Sequence, residues 1–256
     1  ARNEGFKHST GDYISFWDTD CVAEIGMTRM WAKAFIAYPD CSFVYSGYRF
    51  SSGMYLPSEN FNPYLLTCYN YIATMFPMKR EIFPGFDESL ESLQDWDMWI
   101  RIIKAGHKGW RNEGAAFTAD ATRKGISSVG CTKENWFERW NKVKVKNEIK
   151  RDNAFISIVH KNRGIELAET YGWDFLDDTR FHLKYDYKTI YCIGFYYNDM
   201  QRLSEGFASV PKESIKIMHW MGEDVENLLW TPFRAMENLV LVLNNVVSKN
   251  YCENEI

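Results

Sequence analysis

No two cysteines in this chain stand close enough in sequence to make a metal knuckle. The six (Cys21, Cys41, Cys68, Cys131, Cys192 and Cys252) are scattered without a Cys-x-x-Cys pair. That excludes a zinc ribbon and a small disulfide-stapled scaffold, and reduced thiols of a cytosolic protein are the expectation. Long apolar runs are missing too. The longest stretch near the C-terminus, Leu239–Leu243, is far too short to span a bilayer. The chain therefore reads as soluble and cytoplasmic, with no transmembrane segment. Neither sign of charge dominates: 30 Lys and Arg against 34 Asp and Glu leave a net charge of −4. A dedicated nucleic-acid partner is not expected from that balance. There is no internal repeat. The one biased run, Lys142–Lys150, reads as a solvated helix face.

What the chain does contain is apolar bulk. Of its 256 residues 46% are hydrophobic and 25% charged, enough for a sizeable core in one large or two smaller domains. Aromatic residues reach 16%, with ten Trp, which suits either a heavily aromatic core or a sugar-stacking cleft.

Strand and helix signals alternate. A strand from Gly11 runs into Asp18-Thr19-Asp20, a helix is expected over Met27–Tyr38 and ends at Pro39-Asp40, and Ser42–Phe50 reads as a half-buried or edge strand. A helix over Tyr64–Thr74 follows, then one over Ser92–Gly106 with apolar residues at 96, 99, 100 and 103. Next come a Gly/Thr/Ser-rich loop over Thr118–Gly130 and a charged helix over Lys133–Lys150. The final third adds strands at Thr189–Phe195, Ile215–Trp220 and Leu239–Leu243, which with helices between them predict a parallel α/β sheet.

Two groups of residues carry possible chemistry. In an extended backbone Asp18 and Asp20, spaced i, i+2, present both carboxylates to one side, and Mg²⁺ or Mn²⁺ prefers such oxygens. The plain structural alternative is a turn with helix-capping aspartates. A sharper rival is the nucleophile motif of haloacid-dehalogenase-type phosphatases, with Asp18 as nucleophile, Asp20 as acid/base, and Ser46 and Asp177-Asp178 as further members. The second group is Ser92-x-x-Asp95-Trp96-Asp97. Ser92 and Asp95 have the spacing of a capping box, and Asp97 can pair with Arg101 at i, i+4.

Arg2-Asn3-x-Gly5, Gly11-Asp12-Tyr13-Ile14, Asp18-Thr19-Asp20, Gly85-Phe86-Asp87-Glu88 and Asp95-Trp96-Asp97-x-Trp99-x-Arg101 follow one another along residues 1–125. This ordered set resembles family-two glycosyltransferases of the GT-A fold. The resemblance implies an α/β chain: a partial GT-A, nucleotide-diphospho-sugar transferase domain over 1–150 that lacks its opening strands, then a connector and Rossmann-like unit over 151–256. It implies a metal-dependent, inverting transfer of a sugar from a nucleotide-sugar donor to a saccharide or other hydroxyl acceptor. Asp18 and Asp20 would then bind Mn²⁺ or Mg²⁺ on the donor diphosphate, and Asp95 would be the general base. Arg2 would be a basic residue on the donor side, and Arg123 would meet the diphosphate. Two positions depart from the family. Gln94 replaces the Glu usual before the base, which should lower the pKa of Asp95 by removing a like charge, and Cys21 replaces a frequent third acid. These departures leave a non-catalytic saccharide-binding fragment as another alternative.

In the last third, Ile190–Phe195 with Tyr196-Tyr197-Asn198-Asp199, and His219-Trp220-Met221-Gly222-Glu223-Asp224, resemble the first half of a GT-B-type glycosyltransferase domain. The plain alternative is a turn at Gly222 with a helix starting at Glu223-Asp224.

Overall fold

The computed structural model describes residues 1–120, 122, 133–157, 159–177, 186–194, 210–211, 213–220 and 250–252. The chain divides into two compact units, Ala1–Cys131 with Arg139–Glu148, and Thr132–Glu138 with Ile149–Ile256.

The first unit opens with α1 (Arg2–His8), β1 (Tyr13–Ile14), β2 (Cys21–Ala23), α2 (Met27–Ala37), β3 (Phe43–Phe50) and β4 (Tyr55–Leu56). It continues through α3 (Pro63–Cys68), β5 (Met78–Lys79), α4 (Gln94–Lys104) and β6 (Gly109–Ala119), and takes in the later turns of α5 (Lys133–Lys146) from Arg139. Its six strands form one mixed sheet in the order β1-β5-β3-β6-β2, with β4 paired to β3. Strands β3 and β6 run parallel, and the remaining pairs are antiparallel.

Strand β3 is central rather than the edge or half-buried strand its sequence suggested. Residues Phe43 to Gly47 are buried without alternation, because β5 and β6 flank the strand and both of its faces meet core side chains. The core is built largely from rings: Phe43, Tyr45, Phe76, Trp96, Trp99 and Phe117 are all fully buried. Phe43 is boxed in by Tyr45, Phe61 and Trp99, at ring-centroid distances of 6.2, 5.8 and 4.9 Å. Gly109 lies directly against that ring, so a Cβ there would overlap Phe43. The ring has nowhere to retreat. Gly109→Ala should therefore cost about 1–3 kcal/mol of overpacking, read as a lower urea midpoint in denaturation monitored by Trp fluorescence.

Helix α3 is shorter than expected. Asn62 caps it by accepting the Leu65 N–H at 2.9 Å and Pro63 occupies the first turn, but the chain turns extended at Tyr69. Helix α4 lies where expected and ends before Gly106, which takes the left-handed conformation. Its start differs from the expected capping box. Leu93 holds the cap position at φ +60°, and the Ser92 hydroxyl has no partner among the described residues. The buried face is also rotated: Trp96, Met98, Trp99, Ile100 and Ile102 are buried, while Ile103 is only partly covered.

The second unit contains β7 (Asn153–Ile156), α6 (Lys161–Tyr171), β8 (Asp174–Leu176), β9 (Thr189–Ile193), β10 (Ile215–Trp220) and β11 (Asn250–Cys252). Among the described residues these strands make a wholly parallel sheet in the order β8-β7-β9-β10-β11. The expected parallel α/β pattern holds, with β9 and β10 at their expected places. The buried carboxylate of Asp174 is satisfied by Arg151 at 3.0 Å and the Tyr187 hydroxyl at 2.9 Å. Tyr196-Tyr197-Asn198-Asp199, Met221-Gly222-Glu223-Asp224 and Leu239–Leu243 lie outside the described residues.

The chain is thus a mixed α/β protein with two sheets. Among the described residues no helix is long and apolar enough to cross a membrane.

Candidate functional site

Asp18 and Asp20 do not prolong a strand. Strand β1 ends at Ile14, and the Cys21 N–H donates to the Asp18 carbonyl at 3.2 Å, closing a turn through Thr19 and Asp20. The Trp17 indole N–H fastens the turn by donating to the Cys21 carbonyl at 3.0 Å. The same-side argument from an extended backbone therefore fails for this pair, and it is the turn that presents the two carboxylates.

Arg2, at the start of α1, reaches this turn. Its guanidinium donates to Asp18 Oδ1 at 2.8 Å, with both side chains about two-fifths exposed, and lies 5.4 Å from the centroid of the Phe86 ring. The neighbouring Asn3 ties the same helix to the Phe86 segment. Its amide donates to the Phe86 carbonyl and to Glu88 at 2.8 Å each, and its oxygen accepts the Phe86 N–H at 2.8 Å. Arg101 on α4 then donates to the Pro84 and Gly85 carbonyls at 3.0 and 2.5 Å. Sequence pieces more than eighty residues apart are thereby joined at one place.

Beneath them lies a polar network around Asp97, which is completely buried. Arg101 Nε meets one carboxylate oxygen at 2.9 Å, and Lys146 and Asn147 meet the other at 2.8 Å each. Lys146 also reaches Asp87 at 2.6 Å, holding that carboxyl well below the usual carboxylate range. Asp97 thus joins α4, α5 and the Gly85–Asp87 segment, a supporting role that includes its expected pairing with Arg101.

Asp95, in the first turn of α4, accepts a hydrogen bond from the Asn70 amide at 2.9 Å. Burial pushes its carboxyl above the ordinary range, against the opposing pull of helix-start N–H groups, Arg2 and Asn70. The lowering expected from Gln94 does not set the balance, since desolvation outweighs it. Gln94 itself turns away and donates to the Leu90 carbonyl at 2.7 Å. Tyr48, on β3, also faces this region. Burial, and then the neighbouring Cys21 and Asp95, push its phenol up. Cys21 is no substitute for a third acid. Burial and the two aspartates push its thiol up to about 11, so it stays protonated at neutral pH.

Next to the turn, Arg2, Phe6, Ser9, Tyr13, Phe16 and Trp17 help line a cleft of about 410 Å³. Asp18, Asp20, Arg2 and Asp95 are therefore brought to one region of the first unit. Arg123 lies outside the described residues. The chain just before it is held beside Asp20, whose carbonyl accepts the Asp120 N–H at 3.1 Å. The phosphatase reading adds Ser46, Asp177 and Asp178. Ser46 is buried with its hydroxyl on the Gly47 carbonyl, Asp177 belongs to the second unit, and Asp178 lies outside the described residues.

Among the described residues no group of three or more His, Cys, Asp or Glu is arranged to hold a metal. The turn itself offers two carboxylates, fewer than such a cluster; a hard cation held by one or two protein oxygens completes its shell with substrate phosphates and water. Asn3, Tyr48 and Asn70 were missed as site residues by reading the sequence. Only Asn3 had a signal, its place between Arg2 and Gly5.

Neither comparison with protein-family models nor a search of curated proteins returned a match for this chain.

Proposed function

We propose that the first unit is a glycosyltransferase domain of the GT-A kind. In this reading it transfers a sugar, with inversion, from a nucleotide-sugar donor to a hydroxyl acceptor. The observation that carries it is the position of Arg2, paired with Asp18 at 2.8 Å and acting electrostatically on the partly buried Asp95. A cation for a diphosphate and a raised carboxyl for a hydroxyl proton are the two groups such a transfer needs within reach of each other. The joining of the Arg2-Asn3, Gly85–Glu88 and Asp95–Arg101 segments through direct hydrogen bonds supports the reading. The motifs come together in space as well as in order.

The step assigns one proton and two bonds. The acceptor hydroxyl gives its proton to Asp95 while its oxygen bonds to the anomeric carbon, and the bond from that carbon to the diphosphate oxygen breaks. A carboxyl raised by burial is a stronger base than an exposed one, which brings it closer to the operating pH. Arg2 offsets charge on the departing diphosphate. A divalent cation on Asp18 and Asp20 would supply further neutralisation as a Lewis acid. Trp17 and Phe16 give the adjacent cleft aromatic walls of the kind that pack on sugar faces. The second unit, in this reading, is a Rossmann-like domain accompanying the transferase.

The test is nucleoside-diphosphate release from a panel of nucleotide-sugars with Mn²⁺, with and without chelator. Release should need the metal, and Asp20→Ala should lower it by roughly 100-fold or more, in line with the several kcal/mol a Lewis acid contributes. Release indifferent to both chelation and Asp20→Ala, or a covalent aspartyl-phosphate on Asp18, would overturn the reading.

A further inference from the structure

The carboxylate of Asp95 is held by a residue that belongs to none of the motifs. Asn70 stands in the segment between α3 and β5, 25 positions earlier in the chain. Its two ends are used differently: Nδ2 donates to Asp95 Oδ2 at 2.9 Å, and Oδ1 accepts the backbone N–H of Ile72 at 3.1 Å. The second bond settles the first. With the amide oxygen taken by an N–H, the NH₂ group has to face the carboxylate, so the flip that leaves many asparagines ambiguous is closed here. The mount is firm as well, since Tyr69 and Ile72 on either side are buried at 3% and 1% exposure.

We propose that Asn70 is the positioning residue of this site, fixing the rotation of the Asp95 carboxylate and favouring its ionised form. The proposal rests on the reading of Asp95 as the base. The other groups facing Asp95 do different work. Arg2 from α1 acts electrostatically without a direct bond, Tyr48 from β3 adds a phenol that stays neutral, and the N–H groups at the start of α4 are fixed by the helix. Of these, Asn70 is the side chain that donates directly to the carboxylate. A donor to the charged form stabilises it, and a carboxylate held in one rotamer meets a hydroxyl without first being reoriented. Leu93 contributes from the other side. Its left-handed backbone at φ +60° starts α4 abruptly and so sets where the first turn presents Asp95.

The experiment is a ¹³C NMR titration of the aspartate carboxyls in the wild type, Asn70→Ala and Asn70→Asp, with Asp95→Asn assigning the resonance. Donor turnover against pH is measured on the same proteins. Asp95 should titrate at higher pH in Asn70→Ala, and higher still in Asn70→Asp, where a carboxylate replaces the donor. The acid limb of turnover should move with it. In Asn70→Ala, kcat should fall about 10- to 100-fold while KM changes less than about threefold, the pattern of lost orientation rather than lost binding. An Asp95 titration unmoved in both variants overturns the proposal. If the wild type turns over no donor, the reading of the site as a transferase fails separately, and the titration still decides the role of Asn70.

Discussion

Asp95→Asn should sharply reduce sugar transfer and leave the protein at least as stable as the wild type at neutral pH. The loss in turnover is expected to be about 10²–10⁴-fold, the usual contribution of a positioned base. The stability half follows from the sign of the shift. Burial raises the Asp95 carboxyl above its ordinary value of 3.8, so the folded protein holds this proton more tightly than the unfolded chain does. That preference favours the fold fully below 3.8 and is lost as pH rises through the raised value. Above the raised value the wild type therefore carries a desolvated charge that the amide does not. The amide oxygen can still accept from Asn70. Thermal melts across pH check this: the variant should melt at or above the wild type at pH 7, and the gap should narrow as the pH falls toward 4. A variant that melts much lower at pH 7 would make Asp95 a structural anchor instead of a base kept at a cost.

Asp97→Ala should do the reverse and destabilise the first unit while touching no reacting group. Removing one partner of a buried ion pair costs about 3–5 kcal/mol. The lower end applies here, because Arg101 and Lys146 are 26% and 33% exposed and can turn toward water. The amide of Asn147, buried between α4 and α5, has no such escape. At about 3 kcal/mol the loss is still a large part of a domain's usual 5–15 kcal/mol. Urea denaturation should show a much lower midpoint. Asp97→Asn, which keeps one acceptor oxygen but turns an NH₂ toward donors on its other side, should sit between the two. If Asp97→Ala denatures like the wild type, the network is not holding the unit together. A lowered midpoint instead separates neighbouring positions 95 and 97 cleanly, one through activity and the other through stability.

The two residues were not equally legible in the sequence. Asp97 with Arg101 follows the i, i+4 rule, and the structure contains that pair. Helix α2 was equally plain, from its apolar spacing and Pro39, and it ends one residue before the expected limit. Strand β6 was missed because Arg111-Asn112-Glu113-Gly114 looks like loop. It lies where the β3–β6 register shifts, and Gly114 takes positive φ, so no alternation was there to be read. Helix α3 was overextended for the opposite reason: Tyr69 to Thr74 look compatible with a helix, but Asn70 spends its side chain on Ile72 and Asp95 instead. That tertiary contact is silent in a single sequence. The Asp18–Asp20 segment differs in conformation from its extended reading because Trp17, apolar by composition, uses its N–H to bind a carbonyl four residues on.

Helix α1 has only seven residues and no buried side chain, well short of the length at which an isolated helix persists in water. It is docked by Arg2 on Asp18, by Asn3 on the Phe86 segment, and by Arg80 on Phe6 and Ser9. Such an element can detach while the sheet behind it stays folded, by a local opening that costs much less than global unfolding. The guanidinium of the site thus rides on a short, surface-docked element. Any anion that engages Arg2 in its docked position also draws down that opening equilibrium, so occupancy and local order are linked by mass action.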